Sequence, residues 1–431
     1  MNTFLQELQD RGLISQLTDI NKINQILDEK ATLYCGFDPT ADSLHVGSLL
    51  PLITLLRFKK AGHTILPLIG GATGMIGDPS GKAKERTLND EGTVISFKNA
   101  ITNQIKKIVG DVKVVDNVEW TSGMSVLSFL RDIGKHFSVN MMLNKDSVKS
   151  RIEREEQGIS FTEFSYQLLQ SMDFHHLFKE MNCNLQLGGS DQWGNITSGI
   201  DLIHKKEGND AQVAGITIPL LVKANGEKFG KSESGAIWLS AEKTSPFDFF
   251  QFWLNVSDED IKRFFKMFSF RSIEEIDKIF KEDENRTKPL AQRLLAIELT
   301  ELVHGTAAKN SVLHIAKALF ESNFEDMEKE DFIGLEKSGM KILETSDLGL
   351  ISNIVSSGLA KSRTQAREFL KSGAISINGK KVIIEDDVNT SVITDIKFDH
   401  FCILQRGRKE FRLIKIKSVS YTHLTLPTIY S

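Results

Sequence analysis

The chain predicts an α/β protein: a doubly wound parallel sheet, then an all-α segment, then a small α+β module. Three observations carry this. Two apolar runs, Thr32-Leu-Tyr-Cys-Gly-Phe37 and Thr64-Ile-Leu-Pro-Leu-Ile69, flank a helical stretch from Gly47 to Ala61. A strand–helix–strand unit of that length implies parallel strands and a right-handed crossover. From Ser245 to about Ala318 the apolar spacing turns helical throughout. After Asp347, two short helices lead into Ala374-Ile-Ser-Ile-Asn-Gly379-Lys, a strand entering an Asn-Gly turn.

The elements follow in order. Residues 1–30 show helical spacing through Phe4, Leu5, Leu8, Leu13, Ile14 and Leu17. After the first two strands come helices around 97–109, 124–133 and 161–180, with strands at Leu185-Gln-Leu187 and Ile216-Thr-Ile218. In such a sheet, ligands bind at the carboxyl ends of the strands. In the helical segment, Ser272 with Glu275 reads as a capping box. Residues 322–345 are acidic and poorly patterned and read as a linker. Val382-Ile-Ile384 and Phe401-Cys-Ile-Leu404 are the last strands. The expected domains are 1–244, 245–321 and 346–417, with the linker at 322–345. The tail 418–431 has no Asp, Glu, Lys or Arg and no period; it resembles translated vector sequence and is expected to be non-native.

Composition narrows the function classes. With 40% apolar and 26% charged residues, 431 residues suit a soluble multidomain protein. No apolar run approaches the roughly 18 residues of a membrane span. The first residues are neither a secretory nor a good transit signal. Cys35, Cys183 and Cys402 are scattered and odd in number, which points to a reducing compartment and a cytoplasmic protein, and no Cys/His group has metal spacing. Residues 347–417 hold 13 Lys+Arg against 8 Asp+Glu, a net +5, leaving −9 on the rest. A basic module on an acidic body suggests a polyanionic partner, although uneven surface charge explains it as well.

Four segments carry candidate chemistry. Cys35-Gly-Phe-Asp38-Pro-Thr40-Ala-Asp-Ser-Leu-His45-Val-Gly47-Ser48 runs from a strand end through a turn to a helix N-terminus. The unpaired N–H groups and positive dipole end there suit a phosphate. Gly47 lets a base approach the backbone, and His45 and Ser48 offer hydrogen bonds. Taken alone, an ordinary capped helix explains this segment better. Lys228-Phe-Gly230-Lys231-Ser232 places two ammonium groups beside Asn225-Gly226 and Ser234-Gly235, the make-up of a loop that closes on a leaving pyrophosphate. A solvated charged loop is the plain alternative.

Gly70-Gly-Ala-Thr73-Gly74-Met-Ile-Gly77-Asp78-Pro-Ser-Gly81-Lys82 is not a P-loop: the first glycine would fall at Ile76, and Ala83 follows Lys82. It reads as a glycine-rich turn whose Thr73 and Asp78 face a ligand, with Lys82 and Arg86 one turn apart. In Phe161-Thr-Glu163-Phe-Ser-Tyr166-Gln-Leu-Leu-Gln170-Ser-Met-Asp173, the residues Tyr166, Gln170 and Asp173 share one helix face. The rest of that helix is largely apolar, so the stripe faces something polar and enclosed. Gln186 and Gly188-Gly-Ser-Asp191-Gln192-Trp-Gly-Asn195 form another polar turn at a strand end.

Together these segments resemble the bacterial tyrosyl-tRNA synthetases over about residues 1–417. The marks are Tyr34-Cys-Gly-Phe-Asp38-Pro-Thr40, His45-Val-Gly47, Gly71-Ala-Thr73-Gly74, the Tyr166/Gln170/Asp173 face, Gly189-Ser-Asp191-Gln192 and Lys228-Phe-Gly-Lys231-Ser. Ser362-Arg363-Thr-Gln365-Ala366-Arg367 with Asn378-Gly379 resembles the S4 RNA-binding domain. The resemblance implies a Rossmann-like class I catalytic domain that makes tyrosyl-adenylate and charges tRNA(Tyr). It implies Tyr34 and Asp173 for the substrate phenol, Tyr166, Gln170 and Asp78 for its ammonium, and Gln186 and Thr73 as lining. Cys35, Gly36, Asp38, Gly47, Ser48, Asp191 and Gln192 would serve ribose and adenylate. Thr40, His45, Lys82, Arg86, Lys228, Lys231 and Ser232 would bind the phosphates; Arg363, Arg367 and Lys371 would bind tRNA. It also implies a homodimer, and ATP with Mg2+ as substrate rather than a tightly held cofactor or metal. Ser48 departs from the family, which commonly has His or Asn there. A non-catalytic RNA-binding relative and a synthetase for another aromatic amino acid are the competing readings; the Tyr34/Asp173 pair speaks against tryptophan.

Overall fold

The first strand pair decides the topology. β2 (Thr32–Phe37) and β3 (Thr64–Ile69) are joined by the helix Val46–Lys60 and pair in parallel, Thr32↔Thr64 through Phe37↔Ile69. β4 (Val115–Asp116) adds beyond β3, starting at Leu68↔Val115. Pro67, which lacks an N–H, therefore sits just ahead of the β3–β4 ladder. The chain then returns to the other side of β2, where β5 (Leu185–Gly189) and β6 (Ala214–Ile218) extend the sheet in parallel. β1 (Gln16–Leu17) closes the edge antiparallel to β6, giving the order β1-β6-β5-β2-β3-β4. The sheet thus winds in both directions from β2, as predicted. This computed structural model describes residues 1–80, 90–145, 148–149, 152, 158–232, 235–283, 290–321, 324–337, 340–382, 392–407 and 410–417. Lys82, Arg86, Ile383, Ile384 and the tail 418–431 lie outside the described residues.

β2 and β5 pair only at Leu33↔Leu185 and Tyr34↔Gln186. Beyond those two positions they separate, which opens a crevice at their carboxyl ends where the strand order reverses. The helix Val46–Lys60 is buried along Leu49, Leu50, Leu52, Ile53, Leu55 and Phe58. The helix Phe161–Met181 starts at Ser160, whose hydroxyl accepts from Glu163 N–H, and stops at Asn182 in the left-handed region with φ 52°. The Ser272/Glu275 capping box forms reciprocally, with bonds of 2.8 and 3.1 Å.

Among the described residues two compact units result: 1–243 with 252–303, and 244–251 with 304–417. Residues expected to form one helical domain from 245 to 321 are thus shared between them. The second unit carries a sheet ordered β11-β10-β12-β13-β9. Its strands are β9 (Ile342–Thr345), β10 (Ile375–Ile377), β11 (Lys380–Lys381), β12 (Phe401–Arg406) and β13 (Glu410–Ile416). The expected Asn-Gly turn links β10 to β11, with φ 44° at Asn378 and φ 81° at Gly379, as a two-residue hairpin requires.

The linker expected at 322–345 is corrected by the structure. It contains the helix Lys329–Lys337 and β9, which pairs in parallel with β13. The acidic surface of the segment conceals an apolar face: Phe324, Met327, Phe332 and Leu335 pack against Phe401, Ile403 and Leu413 on one side of the sheet. Cys402, Leu404 and Ile414 fill the other side with Leu350, Ile354 and Ala366.

Candidate active site

The crevice is a cavity of about 430 Å³ in the first unit. Its inner end lies between β2, β5 and the helix Phe161–Met181; its outer end reaches the start of the helix Val46–Lys60 and Lys228. Among the predicted residues, Tyr34, Cys35, Gly36, Asp38, Thr40, His45, Gly47, Ser48, Thr73 and Asp78 line it. So do Tyr166, Gln170, Asp173, Gln186, Asp191, Gln192 and Lys228. Lys231 and Ser232 form β7 (Lys231–Ser232), paired with β8 (Gly235–Ala236); their side chains, like Lys82 and Arg86, lie outside the described residues.

At the inner end Asp173 is buried on the sheet side of its helix, and its two oxygens accept from different donors. Asn117 Nδ2 donates to Oδ2 at 2.9 Å, and Trp120 Nε1 donates to Oδ1 at 2.8 Å. Burial pushes the Asp173 carboxyl up to about 7, and these two donors pull against it. Tyr34 Oη and Gln186 Oε1 are buried and have no hydrogen-bond partner among the described residues. Burial, with Asp173 nearby, holds the Tyr34 hydroxyl well above the usual tyrosine range. Desolvating polar atoms without partners costs free energy. A carboxylate beside a neutral buried hydroxyl and an open amide oxygen is therefore complementary to a ligand hydroxyl that donates and accepts.

The network continues outward. Asn117 Nδ2 also donates to Thr73 Oγ1 at 3.0 Å, and Thr73 Oγ1 donates to Asp38 Oδ1 at 2.8 Å. Tyr166 Oη donates to Asp38 Oδ2 at 2.9 Å. The Asp38 carboxylate, read from resemblance as a ribose group, here engages the helix stripe as well. Glycine is required where these groups crowd the backbone: a β-carbon on Gly70 would lie 2.0 Å from Asp38 Oδ1. Opposite, Gln192 Nε2 donates to Asp78 Oδ2 at 2.7 Å, and Gln170 Nε2 donates to Gln192 Oε1 at 3.2 Å. Asp78, Asp38 and Gln170 thus surround the middle of the cavity with acceptors, which suits a cation. Burial raises Asp191, helped by Asp78 and opposed by Lys228. Cys35 is buried and its thiol is pushed up to about 12, so it is a neutral wall rather than a nucleophile.

The outer end joins segments distant in sequence. His45 caps the helix Val46–Lys60: its Nδ1 accepts from Gly47 N–H at 2.9 Å, which places the proton of a neutral ring on Nε2. The backbone at 237–239 lies between this cap and the lysine segment. Val46 N–H donates to Ile237 O at 2.9 Å, Leu239 N–H to Leu44 O at 2.8 Å, and Ile237 N–H to Gly230 O at 3.0 Å. The two segments are therefore hydrogen-bonded to one shared stretch of backbone, and Lys228 faces the cavity near the positive end of the helix.

Sequence reasoning did not find Asn117 and Trp120. The signal for Asn117 was faint: a polar residue one step beyond Val112-Lys-Val-Val-Asp116, a mixed segment that supplies only the two-residue β4. Asn195 was seen in its motif but given no role; it donates to Gln170 Oε1 at 3.0 Å. In the second unit Arg363, Arg367 and Lys371 fall four residues apart on the helix Arg363–Lys371, with Arg363 and Lys371 exposed.

Comparison with known proteins agrees with this geometry. A family described as "tRNA synthetases class I (W and Y)" matches residues 26–321, and "Tyrosine--tRNA ligase SYY-like C-terminal domain" matches 334–414. Tyrosine--tRNA ligase 1 of Vibrio parahaemolyticus is 48% identical over 417 residues, 95% of this chain and 98% of that protein. Tyrosine--tRNA ligase of Neisseria meningitidis is 49% identical over 427 residues, 95% of this chain and 99% of that protein. Among solved structures, a C-terminally truncated mitochondrial tyrosyl-tRNA synthetase of Aspergillus nidulans superposes with a TM-score of 0.67 at 32% identity. That likeness covers 74% of this chain and 95% of the other. The chain belongs to the tyrosine--tRNA ligase family of class I tRNA synthetases.

Proposed function

We propose that the protein activates L-tyrosine with ATP and transfers the tyrosyl group to the 3′ end of tRNA(Tyr). One observation carries this reading: a single cavity joins a buried acceptor-and-hydroxyl site to a helix N-terminus and Lys228. The substrate phenol donates to Asp173 and meets Tyr34 Oη. The ammonium lies among Asp78, Tyr166 and Gln170, with Thr73 and Gln186 as walls. The tyrosine carboxylate then lies toward the α-phosphorus of ATP. Its oxygen forms the new P–O bond, the bond from the α-phosphorus to the α,β-bridging oxygen breaks, and pyrophosphate leaves with Mg2+, which arrives on ATP as part of the substrate. This displacement needs alignment and positive charge at the leaving group more than it needs a covalent catalyst. Thr40, His45, Ser48 and Lys228 supply that environment, joined by Lys82, Arg86, Lys231 and Ser232. Gly36, Gly47, Cys35, Asp38, Asp191 and Gln192 form the adenylate bed. In the second step a terminal ribose hydroxyl of tRNA attacks the tyrosyl carbonyl carbon and AMP leaves. Tyrosine-dependent ATP–pyrophosphate exchange tests the reading; exchange driven by no amino acid would sink it.

Arg363, Arg367 and Lys371 are proposed to meet tRNA phosphates, which makes affinity fall as salt rises. A homodimer is supported by exposed apolar side chains along 126–161, with Val126 at 73%, Leu127 at 80% and Phe161 at 78% exposure. A sedimenting monomer in the unmodified protein would refute it; Leu127→Asp is expected to give one. No helix among the described residues is long and apolar enough to cross a membrane, and the cysteines Cys35, Cys183 and Cys402 are free, which supports a cytoplasmic location.

A further inference from the structure

Residues 221–229 form a hairpin held from outside itself. Phe229 N–H donates to Leu221 O at 3.0 Å, Lys223 N–H donates to Glu227 O at 2.7 Å, and Val222 bridges Lys228 antiparallel. Lys228 therefore stands directly across from Val222. The Val222 strand is tied to the helix Asp258–Phe268. Arg263 Nη2 donates both to the Val222 carbonyl oxygen and, at 2.8 Å, to Asp260 Oδ1. Asp260 Oδ2 accepts from Ala224 N–H at 3.3 Å and from the Ser257 hydroxyl at 2.9 Å. Asp260 is 4% exposed, so its oxygens take their hydrogen bonds from these donors. The other strand is tied by Phe229, whose ring centroid lies 4.3 Å from that of Phe264 and 4.9 Å from that of Phe252.

We propose that Asp260 and Arg263 are positioning residues for adenylate formation, clamping the hairpin strand opposite Lys228 so that its ammonium is delivered to the leaving phosphates. This rests on the role proposed above for Lys228. A lysine side chain has four rotatable bonds, so its reach into the cavity is set by where the backbone beneath it is fixed. Neither clamp residue lines the cavity. Because pyrophosphate leaves in the first step, the clamp bears on activation and not on transfer to tRNA.

The test compares Arg263→Ala with Lys228→Ala in the full-length protein. Two rates are read: tyrosine-dependent ATP–pyrophosphate exchange, and single-turnover transfer from preformed enzyme-bound adenylate. Arg263 is a partly exposed side chain (41%), so its truncation leaves the core intact. Arg263→Ala is expected to lower kcat for exchange about tenfold or more, with tyrosine KM and the transfer rate unchanged. Arg263→Lys, which cannot hold both acceptors through one planar fork, should recover part of the loss. Unchanged exchange in Arg263→Ala overturns the clamp, and so does a parallel loss of tyrosine KM and transfer, which marks general damage. Exchange unaffected by Lys228→Ala instead overturns the reading on which the clamp rests.

Discussion

At the inner end of the cavity the polar side chains hang from the sheet and from a long buried helix. At the outer end, Lys228 stands on a hairpin and His45 at a helix start, and the adjoining backbone at Gly230 and at Val46 is hydrogen-bonded to a third segment. Tyr34, Asp173 and Gln186 are each almost fully buried, whereas His45 and Lys228 are exposed. The difference separates two tasks. Substrate choice needs groups that cannot move to suit a wrong ligand, and the core supplies them. Charge stabilisation during pyrophosphate departure needs groups that can follow the reaction, and a tethered hairpin supplies those.

If this division holds, damage at each end should leave its own kinetic signature. Asp173→Ala is expected to have the largest effect. It removes the phenol acceptor and leaves Asn117 and Trp120 as buried donors, a loss of about 3 kcal/mol or more. Tyrosine kcat/KM should fall by at least about a hundredfold while ATP KM changes little. An equal loss in ATP KM would break the comparison. Lys228→Ala should act in the opposite sense. It is expected to lower kcat for adenylate formation by about a hundredfold, as for removal of a preorganised charge-stabilising donor, with tyrosine KM retained.

A pH profile sharpens the contrast. The Asp173 carboxyl is raised to about 7, so below that pH it is protonated and presents its own O–H where the phenol must donate. Tyrosine kcat/KM should therefore climb as pH rises through about 7 and then level off. Asp173→Asn should lower the plateau and flatten that limb. A limb that survives the substitution belongs to another group. The smallest effect is expected from Ser48→Ala, which loses one short hydroxyl at the outer end. ATP KM should rise by a few-fold, within about 1 kcal/mol, and no change in exchange would remove Ser48 from the site.

Much of the inner end was legible because strands and helix faces have periods. The run Thr32–Phe37 and the spacing of Tyr166, Gln170 and Asp173 both imply which way side chains point. The partners of Asp173 were not legible: Asn117 follows a two-residue strand too short to show any period, and Trp120 looks like an ordinary aromatic. The segment 322–345 misled for a related reason. Its charged residues outnumber the four buried apolar ones that pack beneath the second sheet, so composition hid the face that matters. The clamp at Asp260 and Arg263 reads in sequence as the solvated side of an amphipathic helix. Only folding brings Val222 and Ala224 against it.

The shared segment at 237–239 bears on how such an enzyme can be recombined. It spans the gap between the histidine cap and the lysine hairpin, so these three pieces form one mechanical part although nearly 200 residues of chain separate their ends. A chimera that imports the hairpin alone from a relative would inherit mismatched spacing at the outer end. Residues 44–46, 228–230 and 237–239 should be exchanged together. Exchange rates across single and joint grafts would decide whether the three behave as one inherited unit.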